Sequence, residues 1–548
     1  MSSPKRRNLV DVPGSSPEVC LLSNGRYSVM LTASGGGYSA LDGMDVTRWR
    51  EDGTRDCWGQ YYYVRNLDDG RVWSAGRQPL GPNADEYESH LRPGRAILRR
   101  RDRDVETCYE VAVVPDTDAE VRRVTLTNRG DRPCTLEVTS YAELALNPRG
   151  ADQAHPAFAK LFLETEYHAS PPALICRRRP RAHDQKPVWA LHVMASEVAG
   201  EVEYETDRAR FLGRGRSTRN PAAMEGGVAL SGTVGPVLDP VFSLRQRIRV
   251  KPGASIVVAF TTAAPQDRVQ TLALAARFGS LETVDRVFEE TTGSDVAQRA
   301  ELGLTPEDAA LFQRLAASVL FVSPPLRSRE SVARNRLGQS GLWPHGISGD
   351  VAIALVRIGA DRNLELVREV LQAHAYWRRC GLVADLVLLQ DEGTGDELSC
   401  RLKDLVQNAP TAELVDRPGG VFLRDASRMS ADDATLLEAA ARLLPAGVMV
   451  RSWRSLAGRW RTLRRSLRRC SQGATRRKRA PKARRPPVRA CSSTMVSAGS
   501  RRMAESTSSP CAPASDRRRR GSTCSPTPTS VAWSPRPAAV TPGRAIAR

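Results

Sequence analysis

Between Pro17 and Pro265 short runs of alternating or β-branched residues are separated by turn residues, as in "VEYETDRARFLG", "SLRQRIRVKPGASIVVAFTTAAP" and "EVRRVTLTNRGDRPCTLEVTSYAELAL". A period of two marks strands that bury one face. In the last run Val124 and Leu126, then Leu136 and Val138, point one way on flanking strands, with "NRGDRP" as the turn. Sustained over residues 17–265, this pattern predicts a large antiparallel β-sandwich.

After Pro265 the period becomes helical. "DRVQTLALAARFGSLETVDRVFEETTGSDVAQRAELG" has apolar positions three and four apart, and "TPEDAALFQRLAASVLF" opens with Thr305 as N-cap, Pro306 in the first turn and Asp308 closing a capping box. Residues 266–325 therefore read as a helical linker, leading to the helices of a second domain. In "NLELVREVLQAHAYWRRCGL" Leu364, Val367, Val370, Leu371 and His374 fall on related faces of a long amphipathic helix. "VADLVLLQDE" reads as a short strand or an extended segment, and "DDATLLEAAARLL" as another helix.

Charge changes the picture at one end only. The formal net charge is +20, yet residues 451–548 hold 25 Lys/Arg against 2 Asp/Glu, leaving 56 against 59 in residues 1–450. The body is nearly neutral, which removes the argument for a nucleic-acid partner. The basic tail, 451–548, is built largely from Arg, Ser, Ala, Pro and Gly and has no sustained period, so it is expected to be disordered. An arm for nucleic acid or acidic membrane, a solvated linker and translation out of frame all remain open for it. The last accounts for the Arg, Pro, Ala, Ser and Cys mixture and for the abrupt change near Pro445. Residues 1–16 read as a disordered leader without the apolar core of a signal peptide, and no run approaches the roughly 20 apolar residues of a membrane span. The seven body cysteines are widely spaced without a CxxC, which indicates free thiols in a reducing compartment, with neither a zinc site nor a disulfide framework. A soluble, cytoplasmic piece is expected.

The stretch "QSGLWPHGISGD", Gln339 to Asp350, concentrates polar and aromatic chemistry between segments that read as helical. It is either a connecting loop or the floor of a ligand site. Asp350 suits the N-cap of a helix "VAIALVRI" as well as a sugar ligand. Trp343 and His345 are open to core roles too. "DVTRWREDGTRD", with Arg48, Trp49, Arg50, Glu51, Asp52, Arg55 and Asp56, reads as structural ion pairing at a domain interface rather than catalysis. "SGGGYS", Ser34 to Ser39, lacks the Lys and helix of a phosphate loop and reads as a sandwich turn.

Together "LLSNGRYSVMLTASGGGYSALDGMDVTRWREDGTRDCWGQYYYVRNLDDGRVWS", "HPAFAKLF", "LGRGRSTRNPAAM", "SGTVGPVLDPVFSLRQRIRV" and "RNRLGQSGLWPHGISGD" resemble glycoside hydrolase family 94, formerly glycosyltransferase family 36. Within it the resemblance is to the phosphorylase-like region of cyclic β-1,2-glucan synthases, across roughly Val19 to Leu444. It implies a multidomain β + α chain: an antiparallel β-supersandwich at 17–265, the helical linker, a partial (α/α)6 barrel at 326–450 and the tail. It further implies inverting phosphorolysis or glucosyl transfer on β-glucans, in which inorganic phosphate attacks the anomeric carbon while a carboxylic acid protonates the leaving oxygen. No other cofactor and no metal are implied, and a homodimer is one assembly open to the chain. In that scheme Asp350, Gln339, Trp343 and His345 grip the sugar and Arg334 the phosphate, with Arg336 on the other side of Asn335 as the alternative phosphate ligand. The general acid would lie on barrel helices beyond Leu444, where nothing resembles it, so no catalytic residue is named. The chain as given is then expected to be inactive, with bare apolar faces on its barrel helices. A non-catalytic carbohydrate-binding sandwich is the alternative.

Overall fold

The computed structural model describes residues 17–442 apart from 82, 183–184, 360–363 and 394; the leader and the basic tail lie outside the described residues. Residues 17–263 form two facing antiparallel sheets, of nine and eight strands. In the first, the long strand Cys134–Pro148 pairs with Pro240–Val250 on one side and with Gln60–Asn66 and Met44–Thr47 on the other. In the second, Ala119–Asn128 lies between Val105–Val113 and Ser255–Ala263. The expected sandwich is present.

One turn does different work from the one its sequence suggests. Ala119–Asn128 and Cys134–Pro148 do not pair; each belongs to a different sheet, so "NRGDRP" carries the chain across the sandwich. Val124, Leu126, Leu136 and Val138 still meet in one core, because the two strands present their inward faces to each other. The "KPGA" turn makes the same crossing from Pro240–Val250 to Ser255–Ala263. "SGGGYS" is a sandwich turn between Tyr27–Thr32 and Gly37–Leu41, as expected.

The helices after Pro265 follow from their pattern. Arg268–Phe278 and Leu281–Glu301 cover the outer face of the eight-stranded sheet, where Leu274, Phe278, Val284, Val287 and Phe288 bury against Val121, Ile175 and Leu191. Pro306–Leu320 begins with the expected capping box: Thr305 Oγ1 accepts from the Asp308 N–H at 3.2 Å and Asp308 Oδ2 from the Thr305 N–H at 3.1 Å. Replacing Thr305 with Ala should cost about 1 kcal/mol, read as a lower thermal midpoint, and Thr305→Ser should restore most of it. The helix buries Leu311, Phe312 and Leu315 in a core shared with Val19, Leu21, Met30 and Trp49 of the sandwich.

Beyond it the backbone departs from the sequence reading. "VAIALVRI" is not a helix: Ala352–Ile358 is a strand, paired in parallel with Ala384–Gln390, which pairs in parallel with Val421–Asp425. An apolar run this short, flanked by Gly and Asp, fits a fully buried strand as well as a buried helix, and packing on both faces decides it. Leu364–Arg379 and Asp396–Gln407 contribute to the core on one face of this sheet, and Leu436 and Leu437 of Ala431–Ala440 to that on the other. Helix–strand alternation replaces helical hairpins over these residues, so the described residues do not delineate an (α/α)6 barrel. The apolar faces expected to stand bare are covered: Leu366, Val367, Val370, Leu371 and His374 are all buried.

Candidate functional site

The loop Gln339–Asp350 is a 3-10 helix, Gln339–His345, followed by a tight return. Gly346 closes the helix in the left-handed region at φ +73°, and Gly349 has φ +75° with Gln339 Cγ 3.0 Å from where a Cβ would sit. Side chains at these two positions would be strained and, at Gly349, crowded. That is why a polar loop here carries glycines.

Two of the sequence-predicted residues come together. Gln339 Nε2 donates to Asp350 Oδ1 at 3.0 Å and to the Ser348 carbonyl at 2.8 Å, which fixes the amide beside an exposed carboxylate. Trp343 donates from Nε1 to the same carbonyl at 3.3 Å and leaves its indole 61% exposed, more than core packing allows. His345 goes elsewhere. Its Nε2 lies 3.3 Å from Asp433 Oδ2, off a hydrogen-bond axis, and its carbonyl accepts from Arg424 Nε at 2.7 Å. That ring ties the loop to the helix Ala431–Ala440. Arg334, the last residue of the short helix Arg329–Arg334, is exposed and pairs with Glu330 at 3.3 Å. The N-cap role for Asp350 is overturned, since a strand and not a helix follows it.

Asp350 opens onto a cleft of about 1160 Å³ between the sandwich and the three-stranded sheet; of the five candidates, it is the one that lines it. Across the cleft Arg149 stacks over Tyr38 at 4.3 Å and Trp49 at 5.1 Å, so one face of each ring is occupied there. Part of "DVTRWREDGTRD" does pair ions across the interface: Glu51 receives Arg442 Nη2 at 2.6 Å. Arg48 instead turns inward, 3% exposed, with Nε 3.0 Å and Nη2 3.2 Å from the Asp152 carboxylate. Glu143 and Asp239 lie 3.4 and 3.5 Å from its Nη1, and Arg208 and Lys160 complete the cluster. "DVTRWREDGTRD", "HPAFAKLF" and the "LDP" of "SGTVGPVLDPVF" thus converge on one ionic network, buried at Arg48, Glu143 and Asp152 and partly exposed at Arg208, Asp239 and Lys160.

Sequence reasoning passed over Asp385. It is fully buried at the start of the central strand, Oδ1 accepting from the Gly419 N–H at 2.6 Å and Oδ2 without a partner among the described residues. Burial, more than the nearby Asp350 charge, pushes its pKa up from 3.8 to about 6. A lone carboxylate in the otherwise apolar "VADLVLLQ" was the available signal. Because the folded state holds this proton more tightly than the unfolded one, Asp385 withdraws stability as pH rises from 3.8 to about 6 and keeps it withdrawn above. Asp385→Asn should therefore raise the thermal midpoint near pH 8 and leave it unchanged near pH 4. An equal change at both would show that the charge is not the cause.

Fold and site define a class: a large antiparallel supersandwich, a helical linker and a polar loop beside an interdomain cleft. The chain belongs to the glycosyl hydrolase 94 family, whose supersandwich domain matches residues 10–281. It is 35% identical over 420 residues to "Cyclic beta-(1,2)-glucan synthase NdvB" of Rhizobium meliloti (strain 1021), covering 76% of this chain and 15% of that protein. It is 26% identical over 255 residues to the "N,N'-diacetylchitobiose phosphorylase" of Vibrio proteolyticus, covering 46% of this chain and 31% of the relative. With the "Solabiose phosphorylase" of Paenibacillus borealis it shares 24% identity over 197 residues, 36% of this chain and 25% of that one. The chain therefore spans less than a third of the length of each of these relatives. No described helix is long and apolar enough to cross a membrane.

Proposed function

We propose that the chain is the phosphorylase-like part of a protein acting on β-1,2-linked glucose chains, by inverting phosphorolysis or glucosyl transfer in the making of cyclic β-1,2-glucan. The similarity to a cyclic glucan synthase and to two phosphorylases supports this reading. The observation that carries the site is the contact of Gln339 with Asp350, which lines the cleft. The Asp350 carboxylate and the Gln339 amide oxygen both accept and so match the hydroxyl donors of a neutral sugar, while the Gln339 N–H groups hold the loop, and the exposed Trp343 indole offers an apolar face beside them. Arg334, exchanging its Glu330 partner for phosphate, supplies the positive charge.

Chemically, the oxocarbenium-like transition state needs an acid on the leaving oxygen and phosphate on the opposite face of the sugar ring. We assign Asp350 to binding and not to proton donation. Asp45, at the cleft, has a pKa raised by burial but is locked to Arg149 at 2.8 Å. Asp385 holds a proton to about pH 6 but is wholly enclosed. Neither can hand a proton to a glycosidic oxygen in the cleft, so this chain alone should bind glucan without consuming phosphate. Calorimetry with β-1,2-gluco-oligosaccharides, alongside a phosphate-consumption assay, tests both halves. Absence of binding would remove the site; phosphate consumption would remove the inactivity.

A further inference from the structure

The charges that line the cleft do not cancel. Arg26 pairs with Asp42 at 3.2 Å, Arg149 with Asp45 at 2.8 Å and Arg442 with Glu51 at 2.6 Å. Three charged side chains remain without a counter-ion among the described residues: Arg50, Arg378 and Asp350. Arg50 is half-buried, its guanidinium 5.7 Å above the Trp58 ring, and its buried Nε has no hydrogen-bond partner. Arg378, the last residue but one of the helix Leu364–Arg379, is half-buried, with no carboxylate within ion-pair distance among the described residues. Burial holds its pKa below the ordinary arginine value, opposed only by the more distant Glu413.

A guanidinium taken partly out of water without an acceptor costs stability, and an incoming oxyanion recovers that cost through charge-assisted, bidentate hydrogen bonds. Resting on the reading of Asp350 as a sugar ligand, we propose that this cleft binds a glycan carrying an oxyanion, with Arg50 and Arg378 taking the charged group and Asp350 the hydroxyls. Free inorganic phosphate fits less well. Asp350 repels it, and a space of about 1160 Å³ exceeds what one small anion fills and lies just above the usual range of small-ligand pockets, room for an oligosaccharide.

The test uses the full chain and three probes in calorimetry: a neutral β-gluco-oligosaccharide, one of equal length ending in a glucuronate, and inorganic phosphate. Charge-assisted bonds predict that the acidic glycan binds about 10- to 100-fold more tightly than the neutral one, with an advantage that shrinks at high salt. Arg50→Gln with Arg378→Gln should abolish the advantage while leaving neutral-glycan binding in place and the thermal midpoint no lower, and the corresponding Lys variants should keep part of the advantage. Equal binding of the two glycans would overturn the oxyanion site and leave the sugar site standing. Phosphate binding that depends on both arginines, without an acidic-glycan advantage, would overturn the glycan-borne anion in favour of a free one. Failure of both glycans to bind would remove the sugar reading, and this inference with it.

Discussion

Arg48→Met should lower the stability of the sandwich by about 3–5 kcal/mol, because it strands charge in the interior instead of merely losing a contact. Arg48 supplies the Asp152 carboxylate with both of its hydrogen bonds, and the two side chains are 3% and 5% exposed. Glu143 is better placed, since it retains Arg208 at 2.7 Å and the Tyr141 hydroxyl at 2.7 Å. Asp239 likewise retains Lys160 at 2.7 Å. The penalty therefore falls on Asp152. In a domain of this size it corresponds to a drop of about 2–4 °C in thermal midpoint per kcal/mol. Arg48→Met with Asp152→Leu removes both members of the pair, and most of the loss should return, as replacing a buried pair by apolar side chains is often neutral. A double variant as unstable as the single one would show that the cost lies in packing around Arg48 and not in the uncompensated carboxylate. Differential scanning calorimetry of the two variants decides it.

What could be read from the sequence was what short-range pattern controls. Alternation located the sandwich, the three-and-four spacing located the linker helices, and the Thr305 capping box is made as its residues require. Partner choice between strands was not legible. "NRGDRP" has the composition of a hairpin turn, yet Val124 and Leu136 face the core from opposite sheets. Residue pattern shows which face is apolar, but not whether the chain turns back or crosses over. "VAIALVRI" failed for a related reason: a strand buried on both faces has no alternation to display, and the strand it pairs with, Ala384–Gln390, lies about 30 residues further along. At the site, the contact of Gln339 with Asp350 lies within one loop and was near the surface of the sequence. The cleft that Asp350 faces is assembled from segments more than 300 residues apart, and so are the unpaired Arg50 and Arg378. The roles of His345 and Arg48 likewise depended on which residues folding brought beside them, Asp433 and Asp152.

Asp350→Ala should produce the largest loss of glucan binding among loop variants, with little change in stability. The carboxylate is exposed and its one side-chain partner is Gln339, so removing it leaves no buried group unsatisfied. Each hydrogen bond from a sugar hydroxyl to a carboxylate is worth about 1.5–3 kcal/mol, and one such bond alone corresponds to about a 10- to 150-fold weaker Kd. Asp350→Asn keeps an acceptor and the contact with Gln339 but surrenders the charge, so it should fall between wild type and Asp350→Ala. Two neighbours supply controls that separate binding from folding. Trp343→Ala removes an exposed indole and should weaken glucan binding without moving the thermal midpoint. His345→Ala cuts the loop from Asp433 and should lower the midpoint before it touches affinity. If Asp350→Ala bound β-1,2-gluco-oligosaccharide as wild type does, while His345→Ala did not, the loop would be holding the fold together and the glucan would lie elsewhere.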